Sequence, residues 1–313
     1  MNKKYVIIAD GTSDLSEEMQ KEFDVNLIVG FFTTPDGAEH RQFHSWKEND
    51  HDDFYNRLKK DPNGFKTSPP NPDMFAETFK KYIAEGYDIL MIAMSSTMSG
   101  SYAFASKARD EVLAENPDAD IRLVDSLRFG AGFGLLVIKA SQLRAEGKTL
   151  DETTKWLEEN KCRFHQAGWL DDLSFVAKKG RLNHAAAFMG TLVGIKPIGD
   201  FDYNGMTTVI GKAKGAKKAY GVLVKYIAET IENPEEQMIL IAQSNRLPQA
   251  QKYKELIEET IRPKEVRIVD IFPGTAINIG PGLMAAYYIG KPISNDLSDE
   301  KELMTKLLNA PEK

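Results

Sequence analysis

The sequence predicts an α/β protein of two domains, the first with a mostly parallel sheet and the second with a mixed sheet. Short apolar runs alternate with helical stretches through the first half of the chain, which is typical of a parallel α/β layer. A fresh strand begins after Cys162, and Asn204-Gly205 between two later strands indicates a hairpin. The 313 residues suffice for two domains. We predict an N-terminal domain over residues 1–160, a C-terminal domain over 161–292 and a peripheral tail over 293–313.

The first domain is predicted as a succession of strands and helices. Ser16 is placed to cap one helix, and Pro72 suits the first turn of another because proline lacks the N–H that this turn leaves unpaired. Three prolines within 69–72 argue against regular structure over residues 65–73. The other predicted elements are strands over 5–9, 26–32, 88–94 and 121–126, a hairpin at Asp36-Gly37, and helices around Tyr55 and over 102–109, 130–143 and 151–159.

The second domain adds a hairpin and two motifs with more than one interpretation. Predicted strands cover 163–170, 193–198, 207–210, 238–242 and 266–271, and predicted helices cover 216–231 and 247–261. The glycines of residues 274–282 make either a second anion site or a plain turn, and a helix through Ala285 and Tyr288 is predicted to follow. Lys178-Lys179-Gly180-Arg181 is either a solvated basic turn or a docking point for an acidic partner or a phosphate.

The most informative feature is a run of hydroxyl side chains, Ser95-Ser96-Thr97, directly after the strand over 88–94. A helix follows the run, so it lies where open parallel sheets bind ligands and where the helix dipole favours an anion. Thr67-Ser68 belongs with this run if both flank one crevice; the alternative is that both are helix caps and turn formers. The run lacks the lysine and glycine spacing of a P-loop. It predicts an anion held by hydroxyls and backbone.

Composition excludes several classes of protein. The net charge of -6 and the isoelectric point near 5.6 argue against a general nucleic-acid binder. A single cysteine rules out an internal disulfide and fits a reducing compartment. No apolar stretch approaches the ~20 residues that cross a bilayer, and the strand at Tyr5 leaves no room for a signal-peptide core. We expect a cytoplasmic protein.

The remaining polar candidates are interpreted structurally. His40, His44 and His51 are widely spaced in a polar segment and are predicted to lie on the surface. Asp10 and Asp14 have the chemistry of metal ligands, but the Thr and Ser around them favour a turn. The chain has no H-E-x-x-H, G-x-S-x-G or Walker motif, and no nucleophile has an evident base partner. These features favour a protein that binds over one that catalyses.

Taken in order, several motifs resemble the DegV family. The resemblance runs from about Lys4 to Pro292. It implies two α/β domains with a long-chain fatty acid buried between them. Better-understood members of the family are carrier subunits of bacterial fatty acid kinase, which present the acyl carboxylate to a separate ATP-binding subunit and deliver the acyl phosphate to phospholipid synthesis. The motifs are Asp10-Gly11-Thr12-Ser13-Asp14, Thr67-Ser68-Pro69-Pro70, Ser95-Ser96-Thr97-Met98-Ser99, Gly180-Arg181-Leu182, Ile195-Lys196-Pro197-Ile198 and Gly280-Pro281-Gly282.

The resemblance also implies roles for individual residues. Thr67 and Ser96 match the hydroxyls that hold the carboxylate, and Ser68 and Ser95 stand beside them. Arg181 matches an arginine at the pocket mouth that is associated with kinase docking and phosphoryl transfer. Candidates for the acyl tunnel lining, or for ordinary core, are Phe188, Met189 and Ile195.

The chain departs from the family pattern at several positions. The family usually has a histidine two residues before Gly-Pro-Gly, where this chain has Asn278. Asparagine can donate a hydrogen bond to a carboxylate but cannot gain a proton near neutral pH. Gly11, Lys179 and Lys214 stand where the family often has serine, glycine and arginine. We keep Asn278 among the expected carboxylate-binding residues.

The sequence therefore leads us to expect a non-catalytic carrier that binds a long-chain fatty acid in a buried tunnel, without cofactor or metal. Its expected partners are an ATP-binding fatty acid kinase subunit and an acyltransferase; no nucleic acid and at most transient membrane contact are expected. Two alternatives stay open. One is an enzyme acting on a small carboxylated or phosphorylated substrate in the same crevice, and the other is a regulatory or scaffold module that retains lipid only structurally.

Overall fold

The computed structural model describes residues 4–182 and 194–311, and the chain divides into two compact units. Unit 1 comprises Met1–Asp50, Asn63–Lys161 and Phe272–Ile277. Unit 2 comprises His51–Pro62, Cys162–Ile271 and Asn278–Lys313. Each unit thus includes a short segment from the other part of the sequence. The roles assigned above to residues 1–160, 161–292 and 293–313 stay predictions.

Unit 1 contains a parallel sheet whose strands, in spatial order, are β2 (Val25–Ile28), β1 (Tyr5–Asp10), β6 (Asp88–Ala93) and β7 (Ile121–Asp125). All six residues of β1 and five of six in β6 are buried. Continuous burial is expected for the central strands of a parallel sheet, because crossover helices cover both faces. The predicted parallel layer is confirmed.

The two helix starts predicted for unit 1 carry side-chain caps. Ser16 Oγ accepts a hydrogen bond from the Met19 amide at 3.3 Å, and Asn71 Oδ1 accepts one from the Met74 amide at 3.0 Å, directly before Pro72. Both predicted helix starts are confirmed. The helices are α1 (Glu17–Glu22), α3 (Pro72–Ala84), α4 (Ser101–Glu115), α5 (Gly130–Ala145) and α6 (Leu150–Asn160).

A second, antiparallel sheet in unit 1 consists of β4 (Glu39–Arg41), β3 (Phe31–Thr33) and β5 (Lys66–Ser68). The hairpin predicted at Asp36-Gly37 joins β3 to β4, with Gly37 at φ +83°. Two predictions are wrong. The single strand over 26–32 is divided between two sheets, and Gly30 at the division packs so close to the Ser68 carbonyl that a Cβ would clash. The segment before the prolines forms β5, because only Pro69 onward lacks the amide that a strand uses.

Unit 2 contains a mixed sheet in the order β10 (Thr207–Lys214), β9 (Ile195–Phe201), β8 (Phe164–Leu170), β13 (Leu283–Ile289), β11 (Met238–Gln243) and β12 (Glu265–Asp270). Only β11 and β12 pair in parallel among these neighbours. The hairpin predicted at Asn204-Gly205 joins β9 to β10, with Gly205 at φ +86°. The predicted class, with a parallel first sheet and a mixed second sheet, is confirmed.

The largest error among the predicted elements concerns the segment that follows the glycine-rich residues 274–282. Ala285 and Tyr288 lie in β13, which is hydrogen-bonded to β8 and β11 on its two sides, and not in a helix. A run of seven apolar residues fits a doubly buried strand and a buried helix equally well, so the sequence pattern could not decide. Part of the glycine stretch is itself helical, as α10 (Pro273–Ile279).

Helices α8 (Ala216–Thr230), α9 (Leu247–Thr260) and α11 (Ser298–Asn309) pack on the sheet of unit 2. Tyr253 of α9 is fully buried, and its hydroxyl donates to the Ala167 carbonyl of β8 at 3.1 Å. Met304 of α11 is fully buried beside Gly211 of β10. Within the described ranges, no helix combines the length and apolarity that spanning a membrane requires. The helices are α2 (His51–Lys60), α7 (Ser174–Lys178), α8 (Ala216–Thr230), α9 (Leu247–Thr260) and α11 (Ser298–Asn309).

Candidate functional site

The hydroxyl loop, residues 95–97, follows the carboxyl end of β6 in unit 1. Ser95 is fully buried, and its Oγ lies 2.8 Å from Thr97 Oγ1. The Ser95 amide donates to the Arg128 carbonyl at 2.8 Å, which ties the loop to the chain after β7. Ser96 is exposed, and its hydroxyl makes no hydrogen bond within residues 4–182 and 194–311. Ser95 therefore shapes the loop, while the Ser96 hydroxyl is available to a ligand.

Two aspartates at the same edge of the parallel sheet hold the loop backbone. Asp10 Oδ2 accepts a hydrogen bond from the Met94 amide at 2.8 Å, and Asp125 Oδ1 accepts one from the Ser96 amide at 3.2 Å. Burial raises the pKa of the Asp10 carboxyl, although the bonds from Met94 and Thr12 work in the opposite direction. The Ser96 amide is thus already engaged, and the donor that this residue offers outward is its side chain.

Thr67 and Ser68 lie on β5 of the small antiparallel sheet. Thr67 pairs with Phe32, and Ser68 pairs with Phe31. Thr67 is half-buried and Ser68 is exposed. Thr67 and Ser68 are therefore neighbours in β5, as Ser95 and Ser96 are neighbours in the hydroxyl loop. That the two pairs line one crevice stays a prediction.

Asn278 lies in unit 2 near the end of α10 and is half-buried. The Gly-Pro-Gly loop follows it, with Gly280 at φ +76° and Gly282 at φ +108°. Phe175 of α7 packs so closely on Gly280 that a Cβ there would lie 2.5 Å from the ring. Both glycines are therefore required, one by close packing and both by backbone conformation.

Arg181 follows α7, and its Nη1 donates to the Lys179 carbonyl. Its amide donates to the Val176 carbonyl at 3.0 Å, which closes the turn after the helix. Because α7 packs on Gly280, the segments that carry Arg181 and Asn278 are neighbours in unit 2. Phe188 and Met189 lie outside the described residues, and Ile195 is a half-buried residue at the start of β9.

Sequence reasoning missed a charged cluster at the same edge of unit 2, formed by Asp171, Lys196 and Arg246. Asp171 Oδ1 accepts a hydrogen bond from Lys196 Nζ at 2.5 Å, and Oδ2 accepts one from Arg246 Nε at 2.8 Å. Burial acts to raise the pKa of Asp171, but the hydrogen bonds from Lys196 and Arg246 outweigh it, so the pKa is lowered. The only sequence signal was Lys196-Pro197, which was noted for its resemblance and not for its charge.

The prediction that His44 lies on the surface is wrong. His44 is 4% exposed, and its Nε2 donates to the Gly11 carbonyl at 2.6 Å. Its ring lies 5.2 Å from that of Phe272, whose amide donates to Asp14 Oδ1 at 3.0 Å. Burial lowers the pKa of His44 to about 4, only partly offset by the Gly11 bond. His44 is therefore a neutral core residue of unit 1, and Asp14 holds the 272–277 segment.

His165 in unit 2 is equally buried but has different partners. Its Nδ1 lies 2.7 Å from Asp200 Oδ2, and its Nε2 lies 2.8 Å from the Lys291 carbonyl. Asp200 also accepts hydrogen bonds from the Tyr226 hydroxyl at 2.8 Å and from the Gln166 amide at 2.6 Å. Both ring nitrogens of His165 thus face oxygen atoms, one of the buried Asp200 carboxyl group and one of a backbone carbonyl. This network connects β8, β9 and α8.

Possible metal ligands and a cavity in unit 1 also bear on where a ligand could bind. No group of three or more His, Cys, Asp or Glu placed to hold a metal ion occurs in the part of the chain that the structure describes. A cavity of about 410 Å³ in unit 1 is lined by Lys4, Tyr5, Asp24, Tyr87, Arg144, Gly147, Lys148 and Thr149. It lies at the start of β1, where none of the predicted site residues is found.

Comparison with known proteins decides the family. The family model described as "uncharacterised protein, DegV family" matches residues 4–291. The chain belongs to the DegV family. A DegV domain-containing protein of Clostridium perfringens is 35% identical over 290 residues, which cover 92% of this chain and 98% of that protein. The family inferred from the motifs is therefore confirmed.

Solved structures of DegV relatives share the fold. A DegV family protein from Thermus thermophilus, described by its fatty acid binding, has a TM-score of 0.80 at 23% identity and covers 92% of this chain and 99% of its own. A stearic acid-binding protein from Eubacterium ventriosum has a TM-score of 0.78 at 21% identity, with 92% and 98% covered. At these identities the likeness establishes the arrangement of secondary structure in this DegV protein.

Proposed function

We propose that this DegV family protein binds a long-chain fatty acid and holds its carboxylate with Thr67, Ser68, Ser96 and Asn278, and that Ser95 contributes to this site by shaping the loop that presents Ser96. The observation that carries the proposal is the Ser96 hydroxyl, which is exposed at the carboxyl end of β6 and has no hydrogen-bond partner among the described residues. The Thermus thermophilus and Eubacterium ventriosum relatives, described as binding fatty acid and stearic acid, support the choice of ligand.

The acyl chain supplies most of the affinity in this proposal, and the hydroxyls supply orientation. Burying about fifteen methylenes at about 0.8 kcal/mol each yields roughly 12 kcal/mol before the costs of ordering and association. A hydrogen bond to a charged group contributes only about 1.5–3 kcal/mol net. Loss of one hydroxyl should therefore weaken binding without abolishing it.

The second part of the proposal is presentation of the bound carboxylate to a separate kinase subunit that supplies ATP. In this role the protein is a non-catalytic carrier, and Arg181 provides a fixed positive charge for docking and phosphoryl transfer. An acyltransferase then receives the acyl phosphate. The proposal places this exchange in the cytoplasm, with at most transient membrane contact.

The proposal assigns a part of the task to each region of the chain. Residues 1–160 supply the hydroxyls that hold the carboxylate, and residues 161–292 supply the acyl pocket. In support, Ser96 and Thr67 lie in unit 1, while Asn278 and Arg181 lie in unit 2.

Mass spectrometry of the purified protein tests the lipid directly. Under native conditions the mass should exceed that of the chain by one fatty acid, and solvent extraction should release that acid. If the protein carries no fatty acid and takes up none when stearic acid is added, the proposal is wrong.

A pair of serine variants tests whether the Ser96 hydroxyl binds the carboxylate. Ser96→Ala should weaken fatty-acid binding about tenfold or more, since one hydrogen bond to a charged group is lost. Ser106→Ala on α4 is the matched control, because its hydroxyl accepts only a 3.5 Å bond from Arg109. Equal affinity for the two variants would exclude Ser96 from the site.

A further inference from the structure

The Asp171, Lys196 and Arg246 cluster lies next to the unit 2 residues of the proposed site. The Asp171 amide donates to the Gly282 carbonyl at 3.1 Å, and the Gly282 amide donates to the Ser244 carbonyl at 2.8 Å. Ser244 Oγ in turn donates to the Gly280 carbonyl at 2.9 Å. The Gly-Pro-Gly loop is therefore hydrogen-bonded on both sides to the chain segments that carry the cluster.

We call Lys196, Arg246 and Trp169 the cradle, because their side chains surround an oxyanion, the carboxylate of Asp171. Three different groups converge on the two oxygens of Asp171: Lys196 Nζ, the Arg246 guanidinium, and Trp169 Nε1, which lies 3.1 Å from Oδ1. Arg246 Nε and Nη2 each lie 2.8 Å from Oδ2. Converging charged and neutral donors of this kind are the usual recognition pattern for carboxylate and phosphate oxygens.

The cradle has more donors and more charge than Asp171 can satisfy. Lys196 uses one of its three N–H groups on Asp171, and Arg246 uses three of its five, two on Asp171 and one on the Asn245 carbonyl. Within the described residues, two donors therefore remain on each side chain. The three charged groups sum to a net charge of +1 in a chain whose net charge is -6. All three are only partly exposed, at 23–32% of the side-chain surface.

We propose that Lys196 and Arg246 form a binding site for a phosphoryl group, whose place is taken by the Asp171 carboxylate in this structure. The inference rests on the proposed function for the identity of that group, which is the phosphate of the acyl phosphate. Converting a carboxylate to an acyl phosphate adds about one negative charge, and the spare charge and the four spare donors of the cradle match this addition.

The indole of Trp169 reports on the cradle without any lipid. In ¹⁵N-labelled protein titrated with orthophosphate at constant ionic strength, the Trp169 indole signal should shift saturably, while the Trp156 indole signal of unit 1 should stay in place. Asp171→Asn should tighten phosphate binding about tenfold, because it removes the competing carboxylate. A shift that follows ionic strength alone, or that moves both indoles together, would overturn the inference.

Charge variants separate binding from folding. Lys196→Gln and Arg246→Gln should each weaken the phosphate response at least tenfold, and Lys196→Arg should restore it because the charge is kept. Lys139→Gln is the matched control, since Lys139 also faces a tryptophan, with its Nζ 5.4 Å from the Trp156 ring centroid. Loss of the response in the control, or its persistence in the Lys196→Gln and Arg246→Gln double variant, would contradict the assignment.

A ligand pair links the cradle to the proposed function. A long-chain alkylphosphonate should lose at least tenfold more affinity than stearic acid does when Lys196 is replaced by Gln. Equal losses for both ligands would place Lys196 in the carboxylate site and overturn the inference. A protein that binds orthophosphate at the cradle but no fatty acid would leave the cradle standing while the proposed function falls.

Discussion

The two units differ in the charge of the polar side chains that lie beside their proposed ligand-binding residues. In unit 1 the hydroxyl loop presents the neutral Ser96 side chain, and the nearby aspartates Asp10 and Asp125 are turned onto backbone amides. In unit 2 the Gly-Pro-Gly loop is bordered by the charged Asp171, Lys196 and Arg246 cluster. In the proposed function this difference corresponds to a division of roles, in which neutral donors orient the carboxylate and charged donors respond to added phosphate.

The same contrast holds in the two cores. His44 of unit 1 and His165 of unit 2 are 4% and 1% exposed, yet the first has one described hydrogen-bond partner and the second lies between two acceptors. Two equally buried histidine rings therefore differ in what they contact: a single carbonyl for His44, and a carboxyl group together with a carbonyl for His165. The predictions below test this contrast, beginning with the largest expected effect.

Removal of the buried Asp200 carboxyl group in unit 2 should be the most damaging change. Asp200→Asn replaces the group on which the His165 ring, the Tyr226 hydroxyl and the Gln166 amide converge, and it should lower the free energy of unfolding by about 3 kcal/mol or more. Urea denaturation at neutral pH measures the loss. Asp172→Asn, at an exposed aspartate that accepts one amide bond from Ser174, is the control and should change stability by under about 0.5 kcal/mol. A loss below about 1 kcal/mol for Asp200→Asn would show that the Asp200 carboxyl group does not hold the network together.

Acid should destabilise unit 1 through His44. The pKa of His44 in the folded protein, about 4, lies below the unfolded value, so the unfolded chain takes up the proton first. Its contribution is fully present above about pH 6.5 and falls by about 2 kcal/mol between about pH 7 and 5. The difference in unfolding free energy between the wild type and His44→Gln should change by this amount, whereas His40→Gln, at an exposed histidine, should follow the wild type. Parallel profiles for His44→Gln and the wild type would refute the assignment.

The two adjacent serines should separate structure from binding. Ser95→Ala removes a buried hydroxyl bonded to Thr97 and should cost about 1 kcal/mol of stability. Ser96→Ala should leave stability within about 0.5 kcal/mol, because its hydroxyl is exposed. Thermal unfolding of both variants, read together with fatty-acid affinity, distinguishes the roles. A reversed order of stability loss would mean that the loop is held by Ser96.

The smallest effect is expected from pH on ligand binding. With Asn278 in place of an imidazole, fatty-acid affinity should vary less than tenfold between about pH 6 and 8. Displacement of a fluorescent fatty acid across that range measures it. Asn278→His should introduce a pH dependence, with tighter binding on the acid side. A wild-type affinity that already changes tenfold would point to another titrating group at the carboxylate.

Sequence patterns predicted the parts of the molecule that local rules determine. The cap at Ser16, the helix start at Pro72 and the hydroxyl loop after β6 all follow from short segments of sequence considered alone. They did not predict the burial of His44, because that depends on Phe272, more than two hundred residues away in sequence. The strand β13 was missed because its apolar run has no distinguishing period, and the Asp171 cluster was missed because its members come from three separate loops and strands.

The most direct test of the account is calorimetric titration of delipidated protein with stearic acid and with its methyl ester. Both ligands should fill the proposed acyl pocket, but only the acid offers a carboxylate to the hydroxyls. We expect one molecule of stearic acid per chain, bound at least tenfold more tightly than the ester, with the difference reduced in Ser96→Ala. Equal binding of acid and ester, or no binding of either, would contradict a carboxylate site built on Ser96.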